Sequence, residues 1–132
     1  MATLGDFPVA AVLRADNLER AADFYSTTLG LKREDQAGPA REAVFSAGKG
    51  STIMIYERPG MPAPENTTLG FGITPEVFED VVGALRDRGV VFEEYDLPEI
   101  GLKTDHGVAT FEGMKAAWFK DTEGNIISLA TM

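Results

Sequence analysis

The chain contains no cysteine, one histidine and one tryptophan in 132 residues. The absence of cysteine excludes a disulfide framework, a thiolate nucleophile and a cysteine-based zinc site. The single histidine, His106, leaves a multi-histidine metal centre or a Ser-His-Asp triad without other imidazoles to draw on. Metal chemistry and nucleophilic catalysis therefore have few candidate residues in this sequence.

Long apolar runs and basic clusters are also missing. No segment approaches the roughly 20 apolar residues that span a bilayer, and the N-terminus lacks the features of a secretory signal. Acidic residues outnumber basic ones by 21 to 12, and no Lys/Arg cluster offers a footprint for nucleic acid. We therefore expect a cytoplasmic protein with neither a nucleic-acid nor a membrane partner. The net charge of −9 favours solubility and would mildly attract a cationic ligand.

The order of the predicted elements repeats between the two halves of the chain, which is the main pattern-based evidence for the fold. The first half is predicted to contain a strand (Phe7 to Arg14), a helix capped by Asp16 and Glu19 and ending at Gly30, and strands at Leu31 to Gln36, Glu42 to Ala47 and Ser51 to Glu57. The turns between these three strands are AGPA and GKG.

The second half is predicted to contain a strand (Thr68 to Ile73), a helix capped by Thr74 and ending at Gly89, strands at Val90 to Tyr95 and Val108 to Phe111, and a closing hairpin from Ala116 to Met132. We therefore predict a single α+β domain over residues 1–132. It has two tandem βαβββ modules, at 1–58 and 67–132, joined by a Pro/Gly-rich linker at 59–66.

Two stretches carry a resemblance to a known superfamily. VAAVLRADNLERAADFYSTTLGL, from Val9 to Leu31, and AAWFKDTEGNIISLATM, from Ala116 to Met132, together resemble the vicinal-oxygen-chelate superfamily. That superfamily includes glyoxalase I, the extradiol dioxygenases and the bleomycin-resistance proteins. The resemblance covers nearly the whole chain and implies that the modules form a half-open barrel with the helices outside and a concave inner face.

The resemblance also implies a set of metal-binding positions, and this chain has no metal ligand at any of them. Enzymes of the superfamily hold a divalent ion with His and Glu side chains from four strands; the first lies seven residues before the residue that caps the first helix. The counterparts here are Val9, Met54 (or Ile53, if the register differs by one residue), Thr68 and Ser128. None supplies the imidazole or carboxylate that such ions prefer. We therefore expect no metal and no cofactor.

Strand alternation and the resemblance together predict which side chains face a ligand. Ser128 is expected on the inner face of the last strand, Val9 and Leu13 on that of the first, and Thr68 on that of the fifth. Aromatic and Met residues on predicted strands complete the set, because they suit an open apolar cleft. The predicted ligand-binding residues are Val9, Leu13, Phe45, Met54, Tyr56, Thr68, Phe111, Trp118 and Ser128.

Two functional hypotheses follow. The first is a metal-free homodimer, similar to the bleomycin-resistance proteins, that sequesters an aromatic or cationic natural product in a cleft between subunits. The second is a lyase, isomerase or cyclase of the same fold that uses His106, Glu57 or Glu112 as a general base. His106 also fits an exposed turn residue in Asp105-His106-Gly107. The ligand itself and the role of the Tyr95 to Gly113 segment stay open, although that segment could cover a cleft.

Overall fold

The computed structural model describes residues 3–35 and 41–132, in two compact units, Met1–Met61 and Pro62–Met132. The division lies within the segment 59–66. The predicted AGPA turn, and Gln36 at the end of one predicted strand, lie outside the described residues. In the described part of the chain no helix is long and apolar enough to cross a membrane.

The first unit is a four-stranded mixed sheet with one helix. Its elements are β1 (Ala11–Ala15), α1 (Leu18–Asp23, continued by a π-helical turn at Phe24–Thr28), β2 (Lys32–Arg33), β3 (Glu42–Ser46) and β4 (Thr52–Glu57). The strand order is β1-β4-β3-β2. The crossover through α1 leaves β1 parallel to β4, whereas β2, β3 and β4 pair antiparallel.

Helix α1 begins one residue later than the sequence prediction. The N-cap is Asn17, whose Oδ1 accepts the Arg20 N–H at 3.0 Å. Asp16 instead pairs with Arg14 at 3.0 Å and accepts the Gly60 N–H at 3.2 Å. Asn and Asp are equally good caps, so the sequence Asp16-Asn17 does not reveal which of them is used.

This shift reverses the two faces expected for β1. Leu13 and Ala15 lie on the helix side with their β4 register partners Ile55 and Glu57, and Leu13 and Ile55 are almost fully buried. The ring of Tyr25, in the π-helical turn after α1, packs against Phe45 on the same side, with centroids 5.8 Å apart. The opposite face, here called the open face of the first sheet, carries the remaining strand positions, among them Val12, Arg14, Val44, Met54 and Tyr56.

The second unit has a longer mixed sheet. Its elements are β5 (Thr67–Ile73), a 3-10 turn (Pro75–Val77), α2 (Phe78–Asp87), β6 (Asp96–Leu97), a 3-10 turn (Pro98–Ile100), β7 (Leu102–Asp105), β8 (Val108–Phe111), β9 (Met114–Lys120) and β10 (Ile126–Thr131). The strand order is β5-β10-β9-β8-β7-β6, with β5 and β10 parallel. Neither sheet closes on itself, and the α+β prediction is confirmed.

The segment between α2 and β8 differs from the prediction. Val90 to Tyr95 forms no strand and makes one isolated bridge, from Phe92 to Phe119. The chain instead adds β6 and β7 to the edge of the sheet. The β7–β8 and β8–β9 loops each have two residues, His106-Gly107 and Glu112-Gly113, all with positive φ. Two positive φ angles are typical of the type I′ turn that matches strand twist.

The second sheet also has two distinct faces. Ile127, Leu129, Ala117 and Phe119 are buried on the face that belongs to the core. Helix α2 contributes Phe78, Val82 and Leu85 to the buried residues, at the spacing of one helical face. The other face, the open face of the second sheet, carries the alternate residues of β9 and β10. Ser128 lies opposite Trp118 there, and Ala130 lies opposite Ala116.

Candidate functional site

A cleft lies at one end of the second sheet, where the chain segment before β5 and the segment leading into β6 meet β9 and β10. It has a volume of about 300 Å³, and we call it the Trp118 cleft. It is lined by Glu65, Asn66, Thr67, Tyr95, Leu97, Leu102, Trp118 and Ile126. A recess of about 400 Å³ adjoins it and shares Glu65, Tyr95 and Ile126, while adding Ala63, Pro64, Glu93, Lys120 and Gly124.

Trp118 and Tyr95 form the aromatic corner of this cleft. Their rings meet edge to face, with centroids 5.5 Å apart and an interplanar angle of 78°. Such a geometry aligns the positive edge of one ring with the negative face of the other. Both side chains are half-buried, so each keeps ring surface open to the cleft.

A buried threonine holds Tyr95 in this position. The Thr104 Oγ1 on β7 accepts the Tyr95 N–H at 2.8 Å, and the Thr104 N–H donates to the Tyr95 carbonyl at 2.9 Å. The short β6 strand, which follows Tyr95, pairs with β7 directly beyond this point. The backbone of Tyr95 is therefore fixed from both its amide and its carbonyl.

Next to Ser128, the strand β5 carries a glycine, so no side chain projects from that position of the sheet. Gly70 is the register partner of Ser128, which in turn lies opposite Trp118. A Cβ atom at Gly70 would lie 2.8 Å from the Ser128 Oγ, closer than real Cβ contacts allow. Glycine here keeps the Ser128 hydroxyl from being crowded on the open face.

Charge in the site is concentrated in the adjoining recess. The Lys120 ammonium lies 3.4 Å from the Glu93 carboxylate. Burial raises the pKa of the Tyr95 phenol, Glu93 raises it further, and Lys120 acts in the opposite direction. The phenol therefore stays protonated at neutral pH and is a hydrogen-bond donor at the boundary between the aromatic corner and the charged recess.

In the second unit, three predicted ligand-binding residues share the open face. Trp118 and Ser128 are direct cross-strand partners, and strand alternation places Phe111 on the same side at the outer end of β8. Of these, Trp118 lines the cleft. Phe111 is 66% exposed at the sheet margin. Thr68 is the extra residue at a register shift between β5 and β10, and its hydroxyl donates to the Asn66 carbonyl at 3.3 Å.

In the first unit, the placement of two predicted residues is wrong. Leu13 and Phe45 are buried on the helix side of the sheet, so neither reaches the open face. Val9 precedes β1 and is 87% exposed. Met54 and Tyr56 lie half-buried on the open face of the first sheet, as expected for ligand-facing positions. Whether they contact a ligand remains a prediction.

The three candidate general bases lie outside the residues that line the cleft. The His106 side chain is 91% exposed and its Nδ1 is 2.9 Å from the Asp105 Oδ1, in the β7–β8 turn. Glu112 is exposed in the β8–β9 turn. Glu57 is held by Arg41 and by the Leu18 N–H, which lower its pKa to about 2. A carboxylate with so low a pKa is a poor base at neutral pH.

His106 instead lines a second recess, together with Arg86, Phe92, Glu94 and Gly107. Its carbonyl accepts a hydrogen bond from Arg86, whose guanidinium also lies over the Phe92 ring, 5.4 Å from the centroid. Across the recess the Glu94 carboxylate accepts the Gly107 N–H at 2.6 Å. Arg86 and Glu94 are thus each hydrogen-bonded to the backbone of the β7–β8 turn, and the His106 imidazole takes no part in these contacts, which supports the interpretation of His106 as a turn residue.

The residues at the implied metal positions do not fit a divalent ion. Counting seven residues back from the true cap, Asn17, moves the first position from Val9 to Ala10, which has the same strand parity as Val12 and Arg14. The other positions still carry Met54, Thr68 and Ser128. Among residues 3–35 and 41–132, no group of three or more His, Asp or Glu side chains could hold a metal.

Seven of the eight cleft residues were not predicted from the sequence: Tyr95, Leu97, Leu102, Ile126 and, before and at the start of β5, Glu65, Asn66 and Thr67. The first three lie in the Tyr95 to Gly113 segment, which the sequence marks as acidic and rich in turn residues. The signal that could have found them is the apolar alternation around that acidic run, since Tyr95 and Leu97 are two residues apart. Ile126 lies two residues before Ser128 on β10 and shares its face, but alternation alone predicts the face and not a ligand contact.

Comparisons with known proteins agree with this architecture. An integron cassette protein from the mobile metagenome of Halifax Harbour Sewage Outfall superposes with a TM-score of 0.71 at 15% identity, covering 96% of this chain and 98% of that one. Oxidase ChaP-H2 gives a TM-score of 0.69 at 18% identity, covering 96% and 94%. The fosfomycin resistance protein FosX from Listeria monocytogenes gives 0.68 at 16% identity, covering 96% and 90%.

At these identities the superpositions establish the fold alone. A comparison with curated protein sequences finds no match. A family model, however, matches residues 8–129, nearly the full chain. This protein therefore belongs to the Glyoxalase/Bleomycin resistance protein/Dioxygenase superfamily.

Proposed function

We propose that this protein is a metal-independent small-molecule-binding protein that sequesters an aromatic natural product or antibiotic in the Trp118 cleft. The observation that carries the proposal is the Tyr95–Trp118 corner, which opens onto Leu97, Leu102 and Ile126. Rigid aromatic walls with a few polar groups at one end are typical of small-molecule sites. The pocket therefore offers contact area and orientation without any catalytic metal.

Antibiotic binding is supported at the level of the superfamily. Structures similar to this chain include two proteins described as fosfomycin resistance proteins, from Listeria monocytogenes and Mesorhizobium loti. Resistance by sequestration needs a cleft and no reaction, which agrees with the placement of His106, Glu57 and Glu112 away from the cleft. The ligand would be released chemically unchanged.

The proposal includes a homodimer. Its support is the tip of the β8–β9 hairpin, where the register partners Phe111 and Met114 are 66% and 61% exposed. Paired apolar side chains of this size are suited to burial against a second copy of the chain. Analytical ultracentrifugation of the wild type and of Met114→Glu tests this part, because a buried carboxylate would weaken the association.

A lyase, isomerase or cyclase is the second candidate. One observation favours it: two carboxylates, Glu65 and Glu93, line the recess next to the aromatic corner. A general base needs hydrogen-bond reach to the proton it removes, and either group could meet a bound molecule there. Mass spectrometry of the ligand recovered after long incubation separates the candidates, since sequestration yields no product.

The first experiment uses the single tryptophan of the chain as its own probe. Trp118 fluorescence is followed while chelator-stripped protein is titrated with a panel of aromatic antibiotics and natural products. We expect saturable quenching by at least one compound, unchanged when Zn²⁺, Ni²⁺, Mn²⁺ or Fe²⁺ is added. Val77→Ala, an exposed change before α2 and outside the cleft, should leave the titration unaltered.

Calorimetry with the same four metal ions completes the test. No ion should bind more tightly than about millimolar, roughly −4 kcal/mol. Micromolar binding with one ion per chain would overturn metal independence. Quenching that is absent for the whole panel would overturn the assignment of the Trp118 cleft.

A further inference from the structure

The Trp118 cleft and its adjoining recess differ in chemistry. The cleft presents the rings of Tyr95 and Trp118 together with aliphatic Leu97 and Leu102. The recess presents Glu65, Glu93 and Lys120. Because Glu65, Tyr95 and Ile126 line both, a single bound molecule can occupy the two parts at once.

The charges in the recess do not balance. Two carboxylates and one ammonium leave a net charge of −1 among the lining side chains. Lys120 lies 3.4 Å from Glu93, so that pair neutralises itself. Glu65 makes no ion pair in the described part of the chain, and it sits in the segment before β5 at the edge of the aromatic corner.

We infer that the ligand joins an aromatic ring to a basic nitrogen, with the ring against Trp118 and Tyr95 and the cation against the Glu65 carboxylate. This inference rests on the proposed function and specifies the chemical class of its ligand. A cation at Glu65 would also lie near the electron-rich ring faces of the corner, which attract positive charge. The overall charge of −9 acts in the same direction at long range.

An anionic group in the same place would be repelled by the Glu65 carboxylate. The charge of Lys120 is already largely compensated by Glu93, so Lys120 offers little net attraction to an anion. The recess therefore discriminates by the sign of charge. Because Glu65 is exposed, the preference should be moderate and should weaken as salt screens the interaction.

The experiment uses three probes that share one ring system and differ in charge: naphthylethylamine, naphthylacetamide and naphthylacetate. Binding is followed by the indole N–H signal of Trp118 in nitrogen–proton correlation spectra, a single resonance because the chain has one tryptophan. We expect the amine to bind about three- to tenfold more tightly than the neutral amide, and the carboxylate to bind most weakly.

Two variants test the assignment to Glu65. Glu65→Gln should remove most of the preference for the amine while leaving amide binding unchanged, and Glu65→Lys should reverse the order. Glu76→Gln makes the same charge change in the exposed turn before α2 and should behave as the wild type. If Glu65→Gln retains the preference, Glu65 is not the recognition group.

Different results with these probes would overturn the charge preference and the binding of rings in the cleft. If all three probes shift the Trp118 signal with equal affinity, the cleft binds rings without regard to charge, and this inference is overturned. If none shifts it up to the solubility limit, binding of such rings in the cleft is overturned as well.

Discussion

The rings of Tyr95 and Trp118 meet edge to face at 5.5 Å, yet they come from very different parts of the second unit. Trp118 is fixed by the β9–β10 ladder, opposite Ser128. Tyr95 lies in no strand and depends on Thr104 for its position. The segment before Tyr95 is also tied to β9, because the Glu93 N–H donates to the Trp118 carbonyl at 2.8 Å, so the corner is held from both β7 and β9.

The Tyr95 ring should be a main contributor to ligand affinity. Tyr95→Ala removes one wall of the corner, and we expect binding of any aromatic ligand of the cleft to weaken by about tenfold, or 1.4 kcal/mol. Titration followed by Trp118 fluorescence measures the affinity of the variant, because the tryptophan is retained. Tyr95→Phe keeps the ring and should bind within about twofold of the wild type. Equal losses in both variants would mean that the hydroxyl, rather than the ring, makes the contact.

The Thr104 hydroxyl should matter for both stability and the geometry of the corner. Thr104→Val keeps the side-chain volume but leaves the Tyr95 N–H without its acceptor, which should lower the free energy of unfolding by about 1–3 kcal/mol. The near-ultraviolet circular dichroism of Trp118 should change with it.

Thr104→Ser is the matched control for that variant, since it retains the hydroxyl at a buried position. It should recover the wild-type dichroism even if the lost methyl group costs some stability. If Thr104→Val keeps the wild-type dichroism, Tyr95 is held by other contacts.

The sequence predicted the repeat of modules because hydrophobic periodicity and turn residues are local signals. Strands β3, β4, β5 and β8 lie within one or two residues of their predicted bounds. The strand predicted at Val90 to Tyr95 does not form, and the reason lies in the tertiary structure. Its residues favour a strand by composition, but β9 takes β8 as its neighbour and leaves Phe92 a single bridge to Phe119.

The sequence could not predict which side chains of β1 face the core, because the count depends on which single residue caps the following helix. Asp16 and Asn17 are both suitable caps, and choosing the wrong one shifts every inward position by one. The same error placed Leu13 on the open face, although the pairing of Leu13 with Ile55 puts it in the core. In the second unit, strand alternation placed Ser128 on the face away from the core, and Trp118, selected as an aromatic strand residue, lies opposite it.

The corrected faces of the first sheet lead to a stability prediction. Phe45 is fully buried against Tyr25, so Phe45→Ala should lower the free energy of unfolding by about 3–5 kcal/mol. Met54 is half-buried on the opposite face, and Met54→Ala should cost less than about 2 kcal/mol. Urea unfolding of both variants measures the difference. If the Met54 variant is the less stable of the two, the assignment of the faces is wrong.

The last prediction concerns pH and the Glu57 carboxylate, which joins β4 to the start of α1. Its oxygens accept the Arg41 guanidinium at 2.8 and 3.0 Å and the Leu18 N–H at 3.0 Å. These contacts lower its pKa from 4.5 to about 2. A lowered pKa in the folded state means that the ionised form stabilises the fold. That contribution is complete above about pH 4.5 and is lost as the pH falls towards 2.

Glu57→Gln should therefore be less stable than the wild type at neutral pH, and the difference in the free energy of unfolding should narrow below pH 4.5 and vanish near 2. Urea unfolding at a series of pH values measures this difference. Arg41→Gln removes the largest cause of the shift and should flatten the same part of the wild-type curve. Parallel curves for the wild type and Glu57→Gln across the acid range would show that Glu57 does not carry this pH dependence.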